Sequence, residues 1–402
     1  MNAGTSDFLN ASRWVAALAV VFFHVYNISV GDPQHVQHLS LFWRGVHFFG
    51  GFGRIAVIAF FVISGFLVGG RVILRLPDKE FDAIDYFIHR FSRIYTVLIP
   101  ALVMGYGIDW LGINFFDSSG IYIHPDQFYT NGFGNDITNH LGLGIFIGNL
   151  MQLQDIIVPS LGSNGPLWSL ANEWWYYVVF GFGVVAYRPG RQLTRVIAGG
   201  AIAVMLIALP LPISLGFVAW GIGAGVAVLD RYWAAWPFLV GATVAVVCLI
   251  AVRWLAPRHV GAGIAGEFIM DLGAALGYSV ALVCAKNLKG RVKFWPLHRR
   301  LASFSYTVYL VHFPAMVFIA AFLKDAFNVE FLREPSVTTM IYLGILLLLL
   351  YGYAWIFAVF TEAHTDRIRS RLSHVVSACR QQANFLGHHL VFDRGQRRSG
   401  QG

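Results

Sequence analysis

Arg13 and His24 stand eleven positions apart in an apolar stretch near the start of the chain. On an α-helix that interval is about 20° past three whole turns and about 16 Å along the axis, so both side chains share one face. An ionisable group turned to lipid costs roughly 2.5–3.5 kcal/mol, so the shared face points into a bundle or a wet cavity. Arg13 alone also suits a residue snorkelling to the membrane surface. His24 lies past the midplane, where it is either a base or a histidine satisfied by a neighbouring hydroxyl or carbonyl. A neutral imidazole held there has the chemistry to take a proton from an attacking hydroxyl.

Glu173 lies in the run Gly165-Pro-Leu-Trp-Ser-Leu-Ala-Asn-Glu-Trp-Trp-Tyr-Tyr177, about one and a half turns into another span. Its expected depth matches that of His24, which makes it a candidate to orient the imidazole. The competing reading pairs it with Arg54. Further on, Ser305-Tyr-Thr-Val-Tyr-Leu-Val-His312 sets Tyr306, Tyr309 and His312 at three-residue spacing along a helix. With Trp168 these are candidates to face a substrate or a developing oxyanion, although aromatic stripes in membrane helices also serve packing. Arg90 and Arg93, in His89-Arg-Phe-Ser-Arg-Ile-Tyr95, suit phosphate contacts. They equally suit a loop held on the cytoplasmic side by its charge. No metal is expected, because His35, His38 and His47 lack acidic or cysteine company.

The elements that must position these groups are membrane helices. Of 402 residues 57% are hydrophobic and 12% charged, too apolar for a soluble core with a wettable surface. Runs long enough to cross a ~30 Å hydrocarbon layer recur from Trp14 to Phe360, in about ten spans. They fall near 12–30, 48–70, 94–113, 168–187, 196–210, 213–229, 235–254, 267–286, 303–323 and 337–360. The first has no Lys/Arg-rich start and no small-residue cleavage site, so it reads as a retained helix. The expected fold is an all-α integral membrane bundle around a central polar cavity.

Lys and Arg concentrate in alternate loops, including Arg71 to Arg93, Arg188 to Arg195 and Lys286 to Arg300. That places both termini in the cytoplasm. The net charge of +8 is accounted for by these flanks and by anionic lipid, so nucleic acid is not an expected partner. Cys248, Cys284 and Cys379 show neither paired nor metal-ligand spacing. The segment 114–167 has no Lys or Arg and reads as an outer loop whose apolar stretch, Leu141 to Leu153, is too short to span. It is placed to shape a binding site. The organisation is a membrane domain over 1–360 and a basic cytoplasmic tail over 361–402. Oligomeric state is not legible.

Together these segments resemble the membrane-bound acyltransferase 3 family, which includes bacterial enzymes that O-acetylate surface polysaccharides. The resemblance runs from about residue 8 to residue 360. It rests on Arg13 with His24, on Phe60-Phe-Val-Ile-Ser-Gly-Phe-Leu67, on Arg90 to Tyr95, on Trp168-Ser-Leu-Ala-Asn-Glu173 with Tyr176-Tyr177, and on Ser305 to His312. It implies a cytosolic acyl-CoA donor, most simply acetyl-CoA, and a carbohydrate or lipid-linked glycan hydroxyl as acceptor. It implies His24 as the catalytic residue, Arg13, Arg90 and Arg93 on the donor side, and a multi-pass place in the bacterial cytoplasmic membrane. The chain departs from the family at Ile58 and Trp174, where many members carry acidic residues. The 42 residues after Phe360 are too few for a fused esterase-like domain, so a stand-alone transferase is expected. Gly-rich helices with buried charges also suit a transporter, against which the lack of internal repeats argues. A receptor or scaffold is the third reading.

Overall fold

In the computed structural model the described residues are 2–31, 40–129, 136–188, 190–230, 232, 236–255, 263–288 and 294–399, the last seventeen of these as backbone alone. They form helices α1 (Ala3–Ser29), α2 (Leu41–Gly50), α3 (Gly53–Arg75), α4 (Ala83–Phe115), α5 (Leu143–Leu150), α6 (Trp168–Tyr187) and α7 (Gln192–Ala208). The second half adds α8 (Leu211–Leu229), α9 (Phe238–Leu255), α10 (Gly263–Cys284), α11 (Trp295–Ala302), α12 (Ser305–Phe327), α13 (Val337–Phe360) and α14 (Thr365–Ser399). Among the described residues there is no strand beyond two isolated bridges.

Eight of these helices are long and apolar enough to cross a membrane: α1, α3, α4, α8, α9, α10, α12 and α13, the last continuing toward Gln382. The two other expected spans, 168–187 and 196–210, lie on α6 and α7. These helices miss that standard because α6 is rich in polar and aromatic side chains and α7 is only 17 residues long. The outer helices meet lipid as such helices should. On α9, Leu239, Val240, Val246, Val247 and Ile250 are all exposed, a continuous apolar face that water would not tolerate.

The centre is built by α1, which packs on α3, α11, α12 and α13, while α12 also packs on α4. The tightest crossing joins α3 to α8. A Cβ on Gly65 would lie 1.8 Å from the Trp220 carbonyl oxygen, and one on Gly223 would lie 2.1 Å from that of Val62. Without a hydrophobic drive between helices in lipid, such backbone contact supplies the packing energy, and only glycine permits it. Just beyond Gly65 the helix loosens into a π turn over Phe66–Gly70, a form that recurs at functional sites.

The polar segment between α4 and α6 is held by a chain of hydrogen bonds. Buried Asp109 on α4 accepts from the backbone N–H (2.7 Å) and hydroxyl (2.8 Å) of Ser163. Asn149 on α5 accepts from the Leu161 N–H at 3.0 Å, and Asn164 donates to the Leu310 carbonyl at 2.9 Å. The expected short apolar stretch is therefore a two-turn helix tied beside the entry to α6, which fixes where the Trp168–Glu173 motif begins.

Beyond α13 the chain turns through Glu362–His364 into α14, which packs along α4. Arg380 reaches Asp82 with both terminal nitrogens, at 2.6 and 2.8 Å.

Candidate active site

The family-like segments gather at two places joined by one helix face. The first is a cavity of about 430 Å³ at the end of the bundle where α4 begins, within the range of small-molecule sites. Arg13, Arg90, Arg93, Glu173, Tyr306 and Tyr309 all line it. The Phe60–Leu67 motif supplies a wall, and its serine has a defined task. Ser64 Oγ lies 2.9 Å from the Tyr177 hydroxyl and accepts from Trp220 Nε1 at 3.1 Å. Gly65 brings α3 close enough to α8 for that bond to form.

Two ion pairs lie on the cavity wall, Arg93 with Glu362 and Arg369 with Asp366. Arg93 donates to Glu362 at 2.7 Å and lies 4.7 Å over the Tyr306 ring. The other carboxylate oxygen of Glu362 accepts from the N–H (3.1 Å) and hydroxyl (2.8 Å) of Thr307 at the start of α12. Glu362 is buried, so its three donors share a group that has little exposure of its own. Arg13 lines the same cavity as Glu362 and Glu173. Arg90 stacks toward Tyr177 at 5.5 Å, and its Nε is buried with no hydrogen-bond partner among the described residues.

The second place is an aromatic box at the far end of α1. The His24 imidazole packs on His312 with centroids 5.3 Å apart, edge-on to Phe313 at 5.0 Å and to Phe23 at 4.9 Å. Its Nδ1 is hydrogen-bonded to the hydroxyl of Tyr129, a buried residue of the connection after α4. His312 Nδ1 donates to the carbonyls of Val308 (3.0 Å) and Tyr309 (2.8 Å), which leaves its buried Nε2 as an acceptor without a partner among the described residues. The box is anchored where α1 ends: Arg333 N–H donates to Ser29 O at 2.8 Å and Gly31 N–H to Arg333 O at 3.1 Å.

Three expectations change here. Glu173 does not hold His24: its carboxylate accepts from the Tyr177 hydroxyl at 2.5 Å, one turn along its own helix, and faces the cavity. Equal depth is not equal bearing, and α6 presents Glu173 toward the arginines. Nor does Glu173 pair with Arg54, which is engaged by Asp271 (2.8 Å) and Glu267 (3.0 Å) on α10. Nor does the Arg13–His24 face line one central polar cavity along its length, since neither His24 nor His312 lines the cavity. Tyr309 lines it, and its ring is 6.0 Å from that of His312, so two aromatic steps separate the cavity from His24. The Tyr309 hydroxyl donates to the Pro166 carbonyl at 3.0 Å and meets Ser169 Oγ at 2.5 Å. Trp168 lies outside the cavity lining, edge-on to Phe61 at 6.3 Å. His35 and His38 fall outside the described residues, and His47 meets the Tyr26 hydroxyl at 3.1 Å. No group of three or more metal-ligating side chains occurs among the described residues.

Two participants escape a reading of the sequence. Tyr129 belongs to a loop without periodic pattern, and Glu362 sits past the last span. A lone carboxylate directly after a long apolar run, facing Arg93 across the chain, was the available signal for Glu362.

A half-buried imidazole beyond a cation-lined cavity inside a helical membrane bundle defines a membrane-embedded site for group transfer or for a charged ligand. The comparisons narrow this. Residues 6–359 match the acyltransferase 3 family, described as an acyltransferase domain, and the chain belongs to that family. It is 26% identical over 355 residues to the O-acetyl transferase of Shigella phage Sf6, covering 82% of this chain and 93% of that one. It is 30% identical over 140 residues to an uncharacterized protein of Haemophilus influenzae, covering 33% of this chain and 51% of that one. No solved structure matches it. The chain is thus a multi-pass membrane acyltransferase.

Proposed function

We propose that the protein moves an acyl group, most simply acetyl, from cytosolic acyl-CoA to a hydroxyl of a carbohydrate or lipid-linked glycan at the bacterial cytoplasmic membrane. The observation that carries this reading is the pairing of an arginine-lined cavity with a half-buried imidazole two aromatic steps beyond it. The phage relative, named an O-acetyl transferase, supports a hydroxyl acceptor.

Acyl-CoA is too charged to cross lipid, so the cavity opens to the cytoplasm and both termini lie there, as the basic loops require. The donor enters past Arg90, and Arg13 and Arg93 meet its polar arm with their charge already offset by Glu173 and Glu362. Its thioester lies toward Tyr309, which moves aside to admit it to His24. The hydroxyl oxygen attacks the thioester carbonyl carbon while His24 takes the hydroxyl proton. In the tautomer that the reaction requires, Nδ1–H donates to the Tyr129 hydroxyl oxygen, and the unprotonated Nε2 is the nitrogen left to act. The carbon–sulfur bond then breaks, and the leaving thiolate collects the proton from the imidazolium to become free CoA. Glu173 is a positioning residue for Tyr177 in this scheme, and Tyr306, Tyr309 and His312 line the path.

The test is thiol release from acetyl-CoA by purified protein in lipid, with and without an added glycan, followed by mass spectrometry of surface glycans from cells with and without the gene. Glycan-stimulated thiol release together with lost glycan acetylation is expected. Vesicle uptake of solute without thiol release would overturn the reading in favour of a transporter.

A further inference from the structure

A separate hollow of about 450 Å³ lies between the turn that joins α3 to α4 and the turn that joins α6 to α7. It shares no lining residue with the cavity that holds Arg13 and Arg93. Four cations line it, Lys79, Arg188, Arg191 and Arg195, against two acids, Asp78 and Glu80. None of these six side chains takes part in an ion pair among the described residues, so the hollow keeps its surplus of positive charge. Two of the guanidinium groups are held by neutral partners. Arg188 Nη2 donates to the carbonyls of Leu76 (2.8 Å) and Lys79 (3.0 Å), and Arg195 Nε donates to that of Ala186 (3.1 Å). These bonds fix both groups in place without cancelling their charge, and each fork keeps further N–H donors for a ligand. The hollow also lies where hydrocarbon gives way to water. Beside it α7 turns Leu193, Val196 and Ile197 outward, all exposed, a face suited to lipid rather than water. Tyr187, at the end of α6, is exposed at the same level, where amphipathic rings meet headgroups. A ligand that suits this place carries negative charge at one end and apolar chain at the other.

We propose that this hollow binds the phosphate headgroup of an anionic phospholipid, with the acyl chains lying along the exposed face of α7. Basic pockets between membrane helices take such headgroups by charge, and here the two arginines are already set for a phosphate. The bound lipid joins the α3–α4 turn to the α6–α7 turn, the two segments that Arg188 ties. It thereby steadies α6, which carries Glu173 and Tyr177 into the donor cavity. The phosphates of a soluble donor fit less well, because a molecule seated here has no common wall with the cavity its acyl end must reach.

The full chain, delipidated in detergent, is titrated separately with phosphatidylglycerol, phosphatidylcholine and soluble glycerol 3-phosphate, with bound molecules counted by native mass spectrometry and stability read from the melting temperature. Phosphatidylglycerol is expected to bind saturably and to raise the melting temperature, and the other two to bind roughly ten-fold more weakly or less. Lys79→Gln combined with Arg191→Gln removes two charges whose side chains make no hydrogen bond among the described residues. This variant is expected to melt normally without lipid and to bind phosphatidylglycerol roughly ten-fold more weakly or less. Arg367→Gln combined with Arg371→Gln removes the same charge from exposed positions on α14, and is expected to leave binding and the melting shift as they were. Arg188→Gln, which also cuts the tie between the two turns, is expected to lower both lipid affinity and lipid-free stability. Equal binding by the Lys79 and Arg191 variant would overturn the site, and so would an equal loss in the α14 variant, which would mark diffuse attraction. Equal binding of phosphatidylcholine, or glycerol 3-phosphate binding as tightly as the lipid, would likewise overturn the assignment to an anionic phospholipid.

Discussion

The two ends of the Arg13–His24 face are made of opposite materials. At the Arg13 end, guanidinium and carboxylate groups pair around an open hollow, and Glu362 alone receives three donors. At the His24 end, rings pack around rings, and the polar atoms present are few: His24 Nδ1 meets Tyr129, while His312 Nε2 has no partner among the described residues. The difference follows from what each end must do with charge. A cavity that admits an ionic ligand needs cations whose burial is already compensated, because an unpaired buried charge costs several kcal/mol. A base that must be neutral to work is served by surroundings that do not favour its charged form, and among the described residues no carboxylate is hydrogen-bonded to His24.

The largest effect that tests this division is at His24. His24→Ala is expected to lower acyl transfer by roughly 10²–10⁴-fold, the span of general-base contributions, while donor binding and melting temperature stay close to those of the unsubstituted protein. Turnover within a few-fold of normal would remove the imidazole from the chemistry. The same variant with lost donor binding would mean that the two ends are not separable.

Glu362→Ala attacks the other end. It strands Arg93 and the Thr307 N–H and hydroxyl without their acceptor, and an unsatisfied buried donor costs roughly 1–3 kcal/mol. A lower melting temperature and a raised KM for the donor are expected, with kcat reduced less than KM rises. Thermal denaturation in detergent and steady-state kinetics read both. Unchanged stability would show that Arg93 finds another partner.

Tyr129→Phe keeps the ring in the box and removes the hydrogen bond to His24 Nδ1. One such bond contributes about 1 kcal/mol net, so a fall in kcat of up to about ten-fold is expected at unchanged KM for the donor. A shifted pH–rate profile would mark Tyr129 as the residue that fixes the imidazole, and a Glu173→Gln variant should leave that profile alone. If Glu173→Gln moved it instead, the expectation drawn from depth alone would have been right and the observed pairing with Tyr177 incidental.

What could be read from residues and what could not divides along similar lines. Helix periodicity placed Arg13 and His24 on one inward face, and the Phe60–Leu67 and Trp168–Glu173 segments lie beside them because spans of fixed length pack on fixed neighbours. Arg13, Arg90, Arg93, Glu173, Tyr306 and Tyr309 do meet around one cavity. The rotation of α6 was not legible, since depth follows from counting residues whereas bearing depends on the side chains of the neighbouring helix. Tyr129 was hidden because a loop has no period to decode, and Glu362 because a boundary drawn at the last apolar residue assigned it to the tail.

The smallest effect concerns how α14 is fastened over the mouth of the donor end. Asp82 both caps α4 and meets Arg380, and Arg380 with the two capping N–H groups holds its carboxyl well below the ordinary aspartate range. The pair is nearly half exposed on each side, so solvent and salt screen most of its worth. Asparagine caps helices as well as aspartate, which makes Asp82→Asn a clean removal of the ion pair. A drop in melting temperature of no more than about 2 °C at neutral pH is expected. Because the folded group is the stronger acid, its contribution is complete above the unfolded aspartate pKa of about 3.9 and fades as pH falls below that toward the folded value. The two proteins should therefore differ by a constant amount from neutrality down to about pH 4 and converge below it, and added salt should shrink the difference throughout. A gap that widened in acid would mean that the Asp82 carboxylate is a liability at the rim, and that α14 is held by its packing on α4 alone.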